Sequence, residues 1–431
     1  MSPITEDVWQ DRSAIEAIQL QRLREMLETI IPRNRFYTSK FRDADIDIEA
    51  IQSLTDLTRL PVTTKEELVA TQTEQPPYGA NLSFPSTAYT RLHQTSGTTG
   101  RPMRWLDTAE SWDWIMECWR QIYLLAGLEE YDRLFFPFSF GPFIGFWAAF
   151  EGASRLGNLV IAGGGMSTTI RLQAMIENEA TVVCCTPTYA LRMAEVAAEQ
   201  GIDLRETSVR MLIVAGEPGG AIPATKARIE QAWDARVIDH WGMTEIASLG
   251  IESEDRPGGI YLLETEVIAE VVDPDSLNPV APGETGELLV TNLGRVGSPL
   301  IRYRTHDLVR AGISKDPCGR QLLWLEGGIL GRSDDMVTIR GNNVFPSSIE
   351  AVLREIDDIA EFRIDVQTVR EMHELCITVE PTAGAADRLD CVLAAASEAL
   401  QQRLGFSCHV KGAAVGELPR FELKGRRFHR E

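Results

Sequence analysis

Across residues 159–233 the chain repeats a pattern that leaves few folds open. Three short uncharged runs, Leu159-Val160-Ile161, Thr181 to Cys185 and Met211 to Val214, each end in Gly or Pro turns, and segments with helical spacing lie near them at 189–200 and 224–233. Such runs predict buried parallel strands with crossover helices, an α/β arrangement. Residues 12–35 carry apolar positions at helical spacing and meet a stop at Pro32. Between 260 and 310 the texture changes to strands punctuated by Gly and Pro (267–272, 286–293, 300–304), which suits an antiparallel sheet or a barrel-like portion. Beyond the polar stretch Gly331–Asp335 we expect a strand at 336–340, a helix at 347–356, strands at 362–366 and 374–379 and a helix at 386–404. The expected division is a large unit, 1–332, of mixed sheets flanked by helices, and a small α+β unit, 333–431, on a hinge.

Composition removes several classes of function. With 42 Lys and Arg against 63 Asp and Glu the net charge is −21, the wrong sign for a nucleic-acid or anionic-membrane binder. Seven cysteines without a CxxC pair give neither a disulfide framework nor a zinc ribbon, and a reducing compartment, the cytoplasm, is expected. The N-terminus lacks the basic start and apolar run of a secretory signal. Leu134–Phe150 carries no charge, but it is short for a span and is broken by Pro137, Gly141, Pro142 and Gly145, so no membrane partner is expected.

The strongest local chemistry lies in Gln94-Thr95-Ser96-Gly97-Thr98-Thr99-Gly100-Arg101-Pro102. Two glycines permit tight turning with N–H groups aimed one way, the hydroxyls add donors, and Arg101 adds charge, so the loop can wrap a polyphosphate. No Lys-Ser/Thr pair closes it, which distinguishes it from a Walker A loop. By composition alone it also suits a polar hairpin loop. A GxSxG elbow is absent, against a serine hydrolase.

In this stretch the chain resembles the phosphate loop of the adenylate-forming (acyl-activating, AMP-binding) enzymes, in the branch similar to phenylacetate–coenzyme A ligase. Further segments follow in that family's order: Val214-Ala215-Gly216-Glu217-Pro218, Asp239-His240-Trp241-Gly242-Met243-Thr244-Glu245, Arg302 to Asp307, Gly331 to Asp335, Arg340 to Pro346, and Leu418 to Lys424. The resemblance implies that Thr95 through Gly100 hold phosphates and that Gly216, Glu217 and Pro218 line the adenine pocket. It places Asp239, Trp241, Gly242, Met243 and Thr244 at the nucleotide, Asp307 and Arg332 at the ribose, and the hinge at Asp334. Glu245, with Thr244, is the implied Mg²⁺ holder, and Lys424 is the catalytic cation. Where relatives carry a structural zinc, residues 252–261 offer Ser and Tyr, and no zinc is expected.

Leu134–Phe150 contains seven of the fifteen phenylalanines plus Trp147. The matching family segment lines the acyl pocket, which implies an aromatic carboxylic acid among Phe140, Phe143, Gly216, His240 and Trp241. A plain apolar core would also cluster rings in this way. The implied reaction consumes ATP with Mg²⁺, forms an acyl-adenylate and passes the acyl group to a thiol. Coenzyme A is the expected acceptor, with a carrier-protein phosphopantetheine as the alternative and a catalytically silent nucleotide or aryl-acid sensor as a reading of another class. The N-terminal helix is a candidate homodimer contact.

Overall fold

The computed structural model describes residues 5–95, 102–339, 342–369, 372–422 and 424–430. Eight strands form the central sheet, in the spatial order Trp324–Glu326, Arg256–Leu262, Ala247–Ser253, Arg236–Met243, Met211–Ala215, Val182–Cys185, Arg133–Phe136 and Leu159–Ala162. The last five are mutually parallel and the first four antiparallel, so Arg236–Met243 is where the two halves meet.

The period-2 side-chain alternation sorts residues onto two helical layers. Leu134, Phe136, Val182, Cys184, Met211, Ile213 and Ile238 face the core that contains the helix Ala109–Ala126 and its tryptophans. Phe135, Val183, Leu212, Val214 and Val237 face the helices Thr168–Glu177, Pro187–Glu199 and Pro223–Trp233. The predicted buried strand at 159–161 is instead the sheet edge, with Leu159 57% exposed. Among the described residues no further strand covers it.

A second sheet is wholly antiparallel: Val267–Val272, Thr285–Asn292, Tyr303–Arg310 and Gly331–Arg332. Its third strand was expected at 300–304 but starts at Tyr303, because Leu300 to Arg302 belong to the preceding turn. At the N-terminus the helix expected to stop at Pro32 runs Arg12–Ile30, and Asn34 caps a separate helix, Arg35–Asp43.

The C-terminal part has its own core. Its sheet, His409–Gly412, Met372–Pro381, Ile359–Val369 and Phe428–Arg430, packs with the helices Pro346–Arg354 and Leu389–Leu404. No helix among the described residues is long and apolar enough to cross a membrane.

Candidate active site

Two of the predicted site segments, 216–218 and 239–245, lie at the carboxyl ends of parallel strands, where open α/β sheets bind ligands at a switch in strand order. Gly216 follows the strand Met211–Ala215 with φ +93°, a left-handed conformation that favours glycine. A Cβ on it would stand 3.0 Å from Lys424 Cε. The adjacent Glu217 accepts from the backbone N–H of Thr188 at 2.7 Å with one oxygen and from that of Gly425 at 2.7 Å with the other. One carboxylate thus ties a helix start to the loop that carries Lys424. Lys424 still reaches solvent, but the surrounding protein desolvates its ammonium and lowers its pKa, against the opposing pull of Glu217 and Glu245.

Other contacts seat the same loop. Arg171 donates to Glu422 at 3.2 Å and to the Tyr189 hydroxyl at 2.7 Å. Arg427 is held by Glu361 at 2.6 and 2.9 Å and donates to Thr188 Oγ1 at 3.0 Å. Arg420 binds Glu380. Arg420 and Arg427 are therefore paired, where composition alone would leave the basic C-terminus a solvated tail.

On the opposite flank, Trp241 Nε1 donates to Asp307 Oδ2 at 2.8 Å, and Arg332 Nη1 donates to Oδ1 at 3.1 Å. Asp307 and Arg332 are direct cross-strand partners, a correction to the loop and turn positions expected for them. Arg332 also grips Asp334 through Nε and Nη2 at 2.9 Å each. Shared in this way, it offsets only part of the desolvation of Asp307, whose carboxyl is pushed up to about 6. Arg332 itself is raised: burial lowers it, but Asp334 and Asp307 outweigh that.

Between these flanks, the turn after Arg236–Met243 carries Thr244 and Glu245. Arg295, fully buried and bidentate with Asp107 at 2.6 and 2.7 Å, donates to the carbonyls of Thr244 and Glu245 at 2.7 and 2.9 Å. This fixes the turn's backbone. The Glu245 side chain is 3% exposed, and its nearest cation, Lys65, stands off at 3.8 Å. Gly242 runs so close to the neighbouring strand that a Cβ there would lie 2.7 Å from the Ala247 carbonyl oxygen.

Alternation decides which way the next residues face. Asp239 packs under the turn Pro218–Gly220, where a Cβ on Gly220 would collide with its Oδ1. Burial, then Glu252, raises its carboxyl pKa well above the usual range. His240 faces the opposite layer and stacks on Trp119 with ring centroids 4.9 Å apart. Among the described residues neither imidazole nitrogen nor Trp119 Nε1 has a hydrogen-bond partner, and burial lowers the imidazole pKa to about 4.

Phe140 and Phe143 join a separate ring cluster at the end of Arg133–Phe136. Phe140 meets Trp147 at 4.9 Å and Phe150 at 5.2 Å, and Phe143 meets Phe146 at 6.1 Å. His240 lies three strand positions away, about 14 Å at ordinary strand spacing, and these phenylalanines stack on neither His240 nor Trp241 among the described ring pairs.

Ser96, Gly97, Thr98, Thr99 and Gly100 lie outside the described residues. Thr95 closes the neck of their loop: its N–H donates to the Met103 carbonyl and its Oγ1 accepts from the Met103 N–H, both at 3.0 Å. No cluster of three or more His, Cys, Asp or Glu suited to a metal occurs among the described residues. Arg171, Arg295 and Arg427 were not legible as site residues, since their partners lie 251, 188 and 66 positions away.

The AMP-binding enzyme family matches residues 29–294, and the AMP-binding enzyme C-terminal domain matches 341–430. The phenylacetate–coenzyme A ligase of Pseudomonas putida is 30% identical over 420 residues, covering 95% of this chain and 93% of that one. A 2-hydroxyisobutyryl-CoA ligase in its postadenylation state, complexed with 2-HIB-AMP, superposes with TM-score 0.90 at 31% identity, covering 96% and 88% of the two chains. The same ligase in its thioesterification state, with 2-HIB-AMP and CoA, gives 0.74 at 31% identity, covering 98% and 91%. Family match, full-length relatives and shared fold agree: the chain belongs to the AMP-binding, adenylate-forming enzymes.

Proposed function

We propose that this enzyme activates an aromatic carboxylic acid with ATP and transfers the acyl group to coenzyme A. At the coarser level it is an AMP-forming acid–CoA ligase that works through an adenylate. The observation that carries the reading is the seat of Lys424 against Gly216 in an arrangement most like the postadenylation state of the related ligase.

In this reading a carboxylate oxygen of the acid attacks the α-phosphorus of ATP, a P–O bond forms, and the bond to pyrophosphate breaks. The Lys424 ammonium offsets the charge that builds on the transferring group. Thr95 to Gly100 cradle phosphates, Gly216 to Pro218 line the adenine with Asp239 supporting them, and Trp241 to Thr244 complete that wall. Asp307 accepts from the ribose hydroxyls with Arg332 beside it. Glu245, a buried oxygen donor with Lys65 at the long distance of 3.8 Å, suits Mg²⁺, which binds few protein oxygens and would neutralise phosphate charge. The acyl guest lies between His240 and the cluster of Phe140 and Phe143. Rotation about Asp334 then withdraws Lys424, and the thiolate of coenzyme A attacks the acyl carbonyl and expels AMP. Cys118, Cys184, Cys185, Cys318, Cys376 and Cys391 are free thiols, which supports a cytoplasmic setting.

Pyrophosphate exchange into ATP across a panel of aryl, arylacetic and small 2-hydroxy acids tests this, followed by mass spectrometry with coenzyme A. Exchange with aryl acids and an acyl-CoA product are expected. Exchange confined to 2-hydroxy acids would overturn the aryl assignment, and acyl transfer only to a carrier protein would replace the acceptor.

A further inference from the structure

The helices Pro187–Glu199 and Pro223–Trp233 and the C-terminal segment 354–361 line a cleft of about 450 Å³ that adjoins the contacts seating the Lys424 loop and shares Thr188, Glu361 and Arg420 with them. Five arginines line it, Arg192, Arg205, Arg228, Arg354 and Arg420, against three carboxylates, Glu195, Asp357 and Glu361. In a chain of net charge −21 this is a local excess of the opposite sign.

Three of the arginines are compensated. Arg192 pairs with Glu195 at 3.0 Å, Arg205 with Asp203 at 2.6 Å and Arg420 with Glu380 at 2.5 Å. Glu361 is committed to Arg427, as above. The other two guanidiniums are left short. Arg228 spends both terminal nitrogens on the Ile359 carbonyl, at 3.3 and 3.2 Å, and forms no ion pair among the described residues. Arg354 is 3% exposed; its Nη1 donates to the Ala360 carbonyl at 3.2 Å, Glu350 and Glu361 stand at the long distances of 3.8 and 3.7 Å, and its Nε has no hydrogen-bond partner among the described residues. Burial accordingly lowers the pKa of both. A buried cation without close counter-charge is unfavourable unless a ligand supplies it, and the guanidinium fork matches a phosphate's oxygens in pairs.

We propose that this cleft binds a small phosphate-bearing molecule, with its phosphate held between Arg228 and Arg354. The two arginines come from opposite sides of the division between N-terminal and C-terminal parts. An anion between them would fasten the parts in the arrangement that seats Lys424 at Gly216 and so delay the second half-reaction. That consequence rests on the proposed function; the binding site does not.

Calorimetric titration of inorganic tripolyphosphate into the nucleotide-free full chain tests the site, without acid or turnover. Arg228→Gln, which keeps a donor for Ile359, is expected to weaken the cleft component about tenfold, as loss of a charge-assisted bond does. Asp357→Asn removes a carboxylate that opposes anion entry and is expected to tighten it about threefold, the size of an exposed charge effect. Opposite shifts from two substitutions on one cleft are not what a purely structural role gives. Absence of saturable binding, unchanged affinity in Arg228→Gln, or weakening by Asp357→Asn would overturn the proposal. Displacement of tripolyphosphate by coenzyme A identifies the thiol substrate as the source of the phosphate, and lack of displacement identifies a free phosphorylated molecule; both uphold the site.

Discussion

Lys424 and Gly216 touch across the division between the two parts of the chain: a Cβ on Gly216 would lie 3.0 Å from Lys424 Cε, at a backbone φ of +93°. Alanine at this position meets two penalties at once, a left-handed backbone costing about 1 kcal/mol and displacement of the lysine. Gly216→Ala is expected to lower pyrophosphate exchange by roughly 10²-fold, the scale of an ångström-level misplacement, with little change in thermal midpoint. Exchange at the wild-type rate would separate Lys424 from this segment.

Removing the cation separates the half-reactions. Lys424→Ala is expected to slow adenylate formation by about 10²–10³-fold, the magnitude of losing one transition-state electrostatic partner. Thioester formation from supplied adenylate should be retained. Equal loss of both would contradict the assignment.

The pH profile carries a second signature of the same lysine. Burial lowers its pKa from the ordinary 10.5, while Glu217 and Glu245 raise it. The ammonium is present below that pKa and lost above it, so exchange should fall on an alkaline limb centred under 10.5. Glu217→Gln removes an opposing carboxylate and should move the limb lower still. An alkaline limb unmoved in Glu217→Gln would show that the coupling between the two residues is absent in solution.

Much of this site was legible because its segments are local. Gly216-Glu217 and Thr244-Glu245 follow strands directly and Trp241-Gly242 close the second of them, so short runs of sequence both form the strand and place the turn at its end. What was not legible depends on partners distant in sequence. Nothing beside Arg295 announces that it will reach Asp107, 188 residues earlier, and hold the Thr244 and Glu245 carbonyls. Asp307 likewise reads as a polar loop residue until the short strand Gly331–Arg332 pairs with its own. The edge position of Leu159–Ala162 escaped for a related reason: an apolar run does not state whether a further strand covers it.

In its proposed place at the ribose, Asp307 would make nucleotide binding sensitive to acid. Its carboxyl, raised to about 6 chiefly by burial, is ionised above that pH and accepts from ribose hydroxyls best in that form. ATP affinity is therefore expected to fall as pH drops through 6. In Asp307→Asn the affinity should be lower at neutral pH and flat across the same window. Isothermal titration from pH 5 to 8 distinguishes the cases, and an acid limb retained in the variant would assign the titration to another group.

If His240 lines the acyl pocket as proposed, it links specificity to stability. Its imidazole is neutral and stacked on Trp119, and both its nitrogens lack partners among the described residues, so a guest that offers a hydroxyl or amine satisfies an atom that an unsubstituted ring leaves bare. His240→Phe keeps the stack and removes the polar atoms. It is expected to raise KM for hydroxy- and amino-substituted aryl acids about tenfold, one hydrogen bond's worth, and to spare unsubstituted acids. The same residue destabilises the fold in acid. An unfolded histidine takes up its proton below about 6.5, whereas the buried one resists until about 4, so the unfolded state binds more protons throughout that window. Stability should decline by up to about 3 kcal/mol between these limits at 1.36 kcal/mol per unit, and His240→Phe should remove that part of the slope. Urea unfolding at pH 7 and pH 4.5 provides the check. An unchanged pH slope together with an unchanged acid preference would mean that His240 meets solvent and guest as an ordinary core ring.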